Sequence, residues 1–229
     1  MNNIVYNENC FDLLPKIADN SIDLICIDPP YEINYKNEIW DTKQLNWVSL
    51  FEQFNRILKE SGNLIIFQGW SNVSKTKEIG ETFFQLRNWI IWARIKCRGA
   101  KTNFGSDRED ILWFSKFDNY TFNKIYSNTP KKTKGLGEKN GQSNRSLTNV
   151  WYDISPIVPW SKERADHPTQ KPIQLMERII AIFSNPKDLV LDCFAGSGST
   201  LVAAKNLKRE FVGVEKEKRY FDICIDRLK

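Results

Sequence analysis

Two segments hold residues whose types and spacing could do chemistry. In Asp28-Pro29-Pro30-Tyr31 a carboxylate stands beside a carbonyl, on a turn with two prolines and a following aromatic ring. The exocyclic amine of a nucleobase is a poor nucleophile, because its lone pair is delocalised into the ring. The Asp28 carboxylate and the Pro29 carbonyl could accept both N–H hydrogens of such an amine. That favours a pyramidal nitrogen whose lone pair points at an electrophile. The prolines stiffen the turn beforehand, so little reorganisation is needed at reaction. Tyr31 offers a flat face on which an extruded base can stack. The competing reading is a proline-rich strand terminator with a surface tyrosine.

The second segment runs Leu189-Val190-Leu191-Asp192-Cys193-Phe194-Ala195-Gly196-Ser197-Gly198-Ser199-Thr200 and reads as strand, glycine turn and helix. Gly196 and Gly198 let the backbone turn tightly and approach a ligand closely. Glu215 follows at the end of the next strand, where an acid in α/β nucleoside-binding folds hydrogen-bonds ribose hydroxyls. A dinucleotide site needs a third glycine, and none follows Gly198 in Ser199-Thr200-Leu201. A nucleoside without a pyrophosphate fits better, S-adenosylmethionine being the common one.

Both segments need elements to hold them. Ile22–Ile27 reads as a buried strand stopped by the prolines, which puts Asp28 at the strand edge where open α/β sheets bind ligands. Trp47, Leu50, Phe51, Phe54, Ile57 and Leu58 recur at helical spacing and predict a helix over 46–59, ended by Ser61-Gly62. A strand is expected at 64–67, a helix at 71–86, and strands at 89–92 and 111–114. Pro168 and Pro172 frame the start of a helix with Ile173, Met176, Ile179, Ile180 and Phe183 on one face, stopped by Asn185-Pro186. Strand 189–191, helix 201–207, strand 211–214 and helix 216–228 complete the chain. This alternation predicts an α/β fold with a mostly parallel sheet and helices on both faces.

Composition narrows the class. The 229 residues suit one domain, or one with an insertion, and 41% apolar with 13% aromatic residues can build a core. The apolar runs are too short to span a bilayer, and residues 1–6 lack the pattern of a secretory signal. Cys10, Cys26, Cys97, Cys193 and Cys224 are odd in number and form no C-x-x-C pair. Neither a disulfide framework nor a zinc site is expected, no metal is called for, and a reducing cytoplasm fits best. Charge is concentrated. Between residues 116 and 149 seven Lys/Arg stand against two acids, an excess equal to the whole chain's +5. This glycine- and asparagine-rich stretch reads as a long loop able to contact a polyanion. A second basic cluster, Arg94, Lys96, Arg98, Lys101 and Arg108, precedes it.

Together the two segments resemble the amino-methyltransferases that act on adenine N6 or cytosine N4 of DNA. The order, catalytic turn first and glycine turn last, resembles the family's beta (permuted) class. Four more stretches are similar to family segments: 17–27, 109–116, His167-Pro168-Thr169-Gln170-Lys171-Pro172, and Phe211-Val212-Gly213-Val214-Glu215. The resemblance implies a Rossmann-like S-adenosylmethionine-dependent methyltransferase fold, with a mixed seven-stranded sheet and both motifs on adjacent strands at the switch point. It divides the chain into a catalytic half at 1–116, a basic recognition insertion at 117–165 and a cofactor half at 166–229. Asp28, Pro29, Pro30 and Tyr31 are then catalytic. Cofactor contacts fall to Asn9 and Cys10, to Asp28 again, to His167, Thr169 and Lys171, and to Asp192, Phe194, Gly196, Gly198, Ser199, Thr200 and Glu215. Asn9 replaces the family's usual acid, and Cys193 stands where the family commonly has proline.

Asp before Pro-Pro-Tyr resembles the adenine subgroup. No Pro-Cys pair occurs, which counts against methylation of a cytosine ring carbon. Lys131, Lys132, Lys134, Lys139 and Arg145 are expected on phosphates of double-stranded DNA. Trp40-Asp41 could close over a flipped base. The small recognition region implies a short site and a homodimer around the duplex, and a restriction endonuclease is the natural companion of such an enzyme. An RNA adenine methyltransferase, a cytosine-N4 enzyme and a DNA-binding regulator that keeps the fold are the rivals.

Overall fold

The computed structural model describes residues 2–32, 44–94, 102, 104–130 and 144–229. Ten strands and six helices follow one another: β1 Ile4–Tyr6, α1 Cys10–Leu13, β2 Ile22–Ile27, α2 Trp47–Ile57, β3 Leu58–Gln68, α3 Val73–Gly80, β4 Gln85–Ala93, β5 Arg108–Ser115, β6 Tyr126–Pro130, β7 Asn144–Ser146, β8 Val150–Trp151, α4 Ile173–Phe183, β9 Leu189–Asp192, α5 Ser199–Asn206, β10 Glu210–Val214 and α6 Lys218–Arg227. The main sheet has the order β1-β10-β9-β2-β3-β5-β4-β8, and β6 pairs with β7 apart from it. Only β5 runs against its neighbours, so the sheet is mixed but mostly parallel.

The expected count of seven strands becomes eight. The extra strand is the two-residue β8, which pairs Val150 with Ile91 and is pinned by its buried Trp151. Its indole N–H donates to the Thr148 carbonyl at 2.7 Å. The sequence pattern also left β1 unassigned, because three residues are too few to show a period.

Alternation along the strands explains why they read as unbroken apolar runs. Ile25 and Ile27 of β2, Leu64 and Ile66 of β3, and Leu112 and Phe114 of β5 join one core with Leu50, Phe51 and Phe54 of α2. Their neighbours Leu24, Cys26, Ile65, Phe67, Ile111 and Trp113 face the other core, with Ile179 and Ile180 of α4 and Leu201 of α5. Helices cover both faces, so each strand is apolar on both sides.

Several element boundaries moved. The helix expected at 71–86 is only α3, because turns at Ile79–Phe84 close it and Gln85 starts β4. The strand expected at 64–67 spans 58–68, since α2 passes directly into β3 without waiting for Ser61-Gly62. The consequence for function is the switch point. Strands β2 and β9 are adjacent and parallel, and the order reverses between them, so Asp28 and Asp192 leave the same edge side by side.

Candidate active site

At the end of β2 the Asp28 side chain is one-fifth exposed. Its Oδ1 accepts from the Tyr31 hydroxyl at 2.9 Å, and its Oδ2 is ion-paired with Lys171 Nζ. Pro29 is buried and Pro30 half-buried, so the turn is rigidly seated. The Tyr31 carbonyl accepts from Asn72 Nδ2 at 2.6 Å, and its ring packs against Gly69, where a Cβ would come within 3.2 Å. Glu109 Oε2 lies 3.2 Å from the same hydroxyl and 3.1 Å from Lys171 Nζ. Burial pushes the Asp28 carboxyl up; Lys171 pulls it down and Glu109 pushes it up further. Burial alone would lower the Lys171 ammonium, but Asp28 and Glu109 together hold it above its ordinary value.

Across a cavity of about 300 Å³ stands the glycine turn. Asp192 Oδ1 accepts from the Phe194 amide at 3.0 Å. Burial pushes its carboxyl up to about 7, against the Thr200 hydroxyl and the Phe194 amide. Glu215 is held by backbone donors, the Gly196 amide at 2.8 Å and the Glu217 amide at 2.7 Å, and burial raises it too. His167 crosses over the turn: a Cβ on Gly196, whose φ is +51°, would lie 2.9 Å from its Nε2. Burial, with Lys171, Arg227 and Arg219 nearby, lowers the imidazole to about 4, so it is neutral at pH 7. Its Nδ1 is buried without a partner among the described residues.

The cavity collects residues from distant parts of the chain. Asn9, Cys10, Asp28, His167, Thr169 and Lys171 line it. So do Asp192, Phe194, Gly196, Ser199, Thr200 and Glu215. Of the twelve, several already carry structural duties. Asn9 caps α1 by accepting from the Phe11 amide at 3.1 Å. Ser199 donates to the Lys171 carbonyl at 2.7 Å. Cys10 and Cys193 share a thiol hydrogen bond that lowers Cys10, while burial pushes Cys193 well up. Gly198 is turned away: at φ +80° a Cβ there would meet Cys224 Sγ of α6 at 2.5 Å, so packing and backbone twist explain it.

A family model described as DNA methylase, N6_N4_Mtase, matches residues 22–226. The chain belongs to this DNA methylase family. It is 33% identical over 251 residues to the Type II methyltransferase M.BglII of Bacillus subtilis, covering 99% of this chain and 69% of that one. It is 33% identical over 244 residues to M1.MboII of Moraxella bovis, covering 95% and 93%. The crystal structure of an M1.HpyAVI-SAM complex superposes with a TM-score of 0.70 at 31% identity, covering 97% of this chain and 98% of that one.

In the methylase, some residues at the site escaped sequence reasoning. Glu109 was visible only as part of a strand motif, since its meeting with Tyr31 and Lys171 depends on the antiparallel register of β5. Gln170 staples the loop before α4, accepting from the Ala165 amide at 2.7 Å and donating to the Glu163 carbonyl at 2.8 Å. Arg227 donates to the Ser197 carbonyl at 2.6 Å and so braces the glycine turn from α6. Gln170 stood within the 167–172 segment without a role of its own, and no local pattern signals Arg227. Of the second basic cluster, Arg94 pairs with Glu109 at 3.1 Å and Arg108 with Asp110 at 3.4 Å. Arg145 is exposed on β7. Lys131, Lys132, Lys134 and Lys139 lie outside the described residues, as do Trp40 and Asp41. No helix among the described residues is long and apolar enough to cross a membrane.

Proposed function

We propose that this methylase transfers a methyl group from S-adenosylmethionine to the N6 amine of an adenine flipped out of a short duplex sequence. One observation carries the reading: Asp28, from the Asp-Pro-Pro-Tyr turn, shares a cavity with Asp192 and Glu215 of the nucleoside-binding pattern. The donor set fits the cofactor. Asp192 and Glu215 are carboxylates with neutral hydrogen-bond donors, suited to a ligand that brings a diol and positive charge. His167, whose Nδ1 has no partner among the described residues, lines the same cavity.

When bound, S-adenosylmethionine supplies an electrophilic methyl carbon. Glu215 would hold the ribose hydroxyls, and the 167–171 segment with Phe194, Ser199 and Thr200 would wall the pocket. Asp28 and the Pro29 carbonyl would accept the two N–H hydrogens of the flipped adenine and aim its lone pair. The aimed nitrogen would bond to that methyl carbon as the carbon–sulfur bond breaks, leaving the thioether, and the acidic N–H proton of the methylated amine would then pass to water. No covalent enzyme intermediate is required. Tyr31 would stack the extruded base.

Residues 117–165 are assigned to target recognition between the two halves 1–116 and 166–229. Lys131, Lys132, Lys134, Lys139 and Arg145 would contact phosphates. A homodimer around the duplex, a partner restriction endonuclease and a cytoplasmic location complete the proposal.

The test is methyl transfer from labelled S-adenosylmethionine to unmethylated duplex DNA, followed by digestion and mass spectrometry of the nucleosides. Labelled N6-methyldeoxyadenosine is expected. Label on cytosine N4 would keep the mechanism and overturn the base assignment. Label in RNA and none in DNA would overturn the substrate.

A further inference from the structure

We propose that Lys171 and Glu109 are positioning residues for Asp28, Lys171 clamping its carboxylate and Glu109 taking the Tyr31 hydroxyl when a base amine arrives. The inference rests on the functional reading above and extends it to two side chains that touch neither the methyl carbon nor the amine.

The geometry is a closed cluster drawn from four parts of the fold. Asp28 ends β2, Tyr31 follows it, Glu109 lies on β5, and Lys171 precedes α4. Both Asp28 oxygens are engaged, Oδ1 by the Tyr31 hydroxyl at 2.9 Å and Oδ2 by Lys171. A carboxylate offers about four lone-pair sites, so Asp28 can accept further. Yet the hydroxyl occupies one face of Oδ1, which an incoming amine would need. Glu109 Oε2 stands 3.2 Å from that hydroxyl. The hydroxyl therefore has a second acceptor already in place, and can leave Asp28 without becoming a buried unpaired donor, whose cost is roughly 1–3 kcal/mol.

Charge fits the same scheme. Two carboxylates, Asp28 and Glu109, are matched by two cations, Lys171 and Arg94, the latter 3.1 Å from Glu109 Oε1. Lys171 is 6% and Glu109 8% exposed; removing Lys171 leaves Asp28 without a cation, whereas removing Glu109 leaves Lys171 paired with Asp28 alone. The Lys171 backbone is tied to the glycine turn through Ser199. Its ammonium also lies 5.6 Å from the Tyr31 ring centre and 5.2 Å from that of Phe67, which confines it. This placement sets the lysine against the Asp28 carboxylate.

The charged and titratable groups facing Asp28 are Lys171, Glu109 and Tyr31, with Asp192 of β9 and Cys26 of β2 in electrostatic reach. Lys171 favours the ionised carboxylate and Glu109 opposes it. The two residues therefore pull the acidic limb of the reaction in opposite directions.

The experiment is the rate of methyl transfer to duplex DNA in single turnover, from about pH 5 to about pH 9, for the wild-type chain, Lys171→Met, Lys171→Arg and Glu109→Gln. Lys171→Met should move the acidic limb up by roughly 1 pH unit or more, and Lys171→Arg should move it least. Glu109→Gln should move it down, and also lower the maximal rate because the Tyr31 hydroxyl loses its charged acceptor. Limbs that stay at the wild-type position, or that move together in one direction as general loosening would give, overturn the proposal. If Lys171→Met does not fold by circular dichroism, Glu109→Gln decides: a downward shift supports the clamp, an unmoved or upward limb refutes it. A wild-type chain that transfers no methyl at all would instead remove the functional reading on which the proposal stands.

Discussion

Asp28 and Asp192 end neighbouring parallel strands at one sheet edge, yet they are held in opposite ways. Asp28 has a cation against it, Lys171, and a phenol hydroxyl. Asp192 has an amide and a hydroxyl, both neutral, and its carboxyl is pushed up to about 7. Asp192 is buried and Asp28 only one-fifth exposed, so the contrast lies mainly in their partners. A buried charge is tolerated when something compensates it. At the catalytic end the compensation is built into the protein. At Asp192 the partners are neutral, and no ion pair to it occurs among the described residues.

The contrast can be broken from either side. The largest effect is expected for Asp28→Ala, a fall in transfer rate on the order of 10²–10⁴-fold with DNA affinity nearly unchanged. Full residual activity would take Asp28 out of the reaction. Next comes Glu215→Ala, which should weaken S-adenosylmethionine binding roughly 10–100-fold by calorimetry, as removal of charged hydrogen bonds implies. An unchanged dissociation constant would contradict the ribose assignment.

Asp192→Asn removes the contrast itself. A carboxyl at about 7 in the folded chain against about 3.9 unfolded binds its proton more tightly when folded. Its stabilising contribution is therefore complete below about pH 4 and lost as pH rises to about 7. The variant should melt with the wild type near pH 4 and hold an advantage of at most a few kcal/mol above pH 7. Melting curves that differ equally at all pH values would show that Asp192 is not destabilised by burial. The smallest effect is expected outside the cavity. Changing Lys131, Lys132 and Lys134 together should flatten the slope of log affinity against log salt by up to about 3, at roughly 0.9 per phosphate contact. An unaltered slope would make that stretch a bystander.

How much of this was legible in the residues varies by element. Strand β2 and helix α4 were readable within a residue or so, because apolar periodicity is local and prolines punctuate both. The helix expected at 71–86 was too long, because the turns that close α3 at Ile79–Phe84 carry no proline and their amides find partners only in the folded turn. Strand β8 was invisible, since two residues become a strand only by pairing with β4. Among the candidate site residues, Asp28 and Glu215 were named by their place at strand ends, and Asp192 by the family resemblance. Glu109 was not given a role, because on the sequence it is one acid in a run of mixed charge. Gly198 is a different case: the pattern assigned it to a ligand, while its φ of +80° and the Cys224 Sγ that a Cβ would meet at 2.5 Å already account for a glycine there.

The sequence by itself determined the alternation of strands and helices, the two turns at strand ends and the family to which the chain belongs. These depend on residue type at short spacing, where steric and hydrophobic preferences act directly. Only the tertiary structure decided that the Lys171 ammonium meets Asp28, and that Glu109 reaches Tyr31 from an antiparallel strand. Such pairings join residues as many as 143 positions apart. They are set by strand order and register, which emerge when both faces of the sheet are buried at once, and no local pattern encodes them.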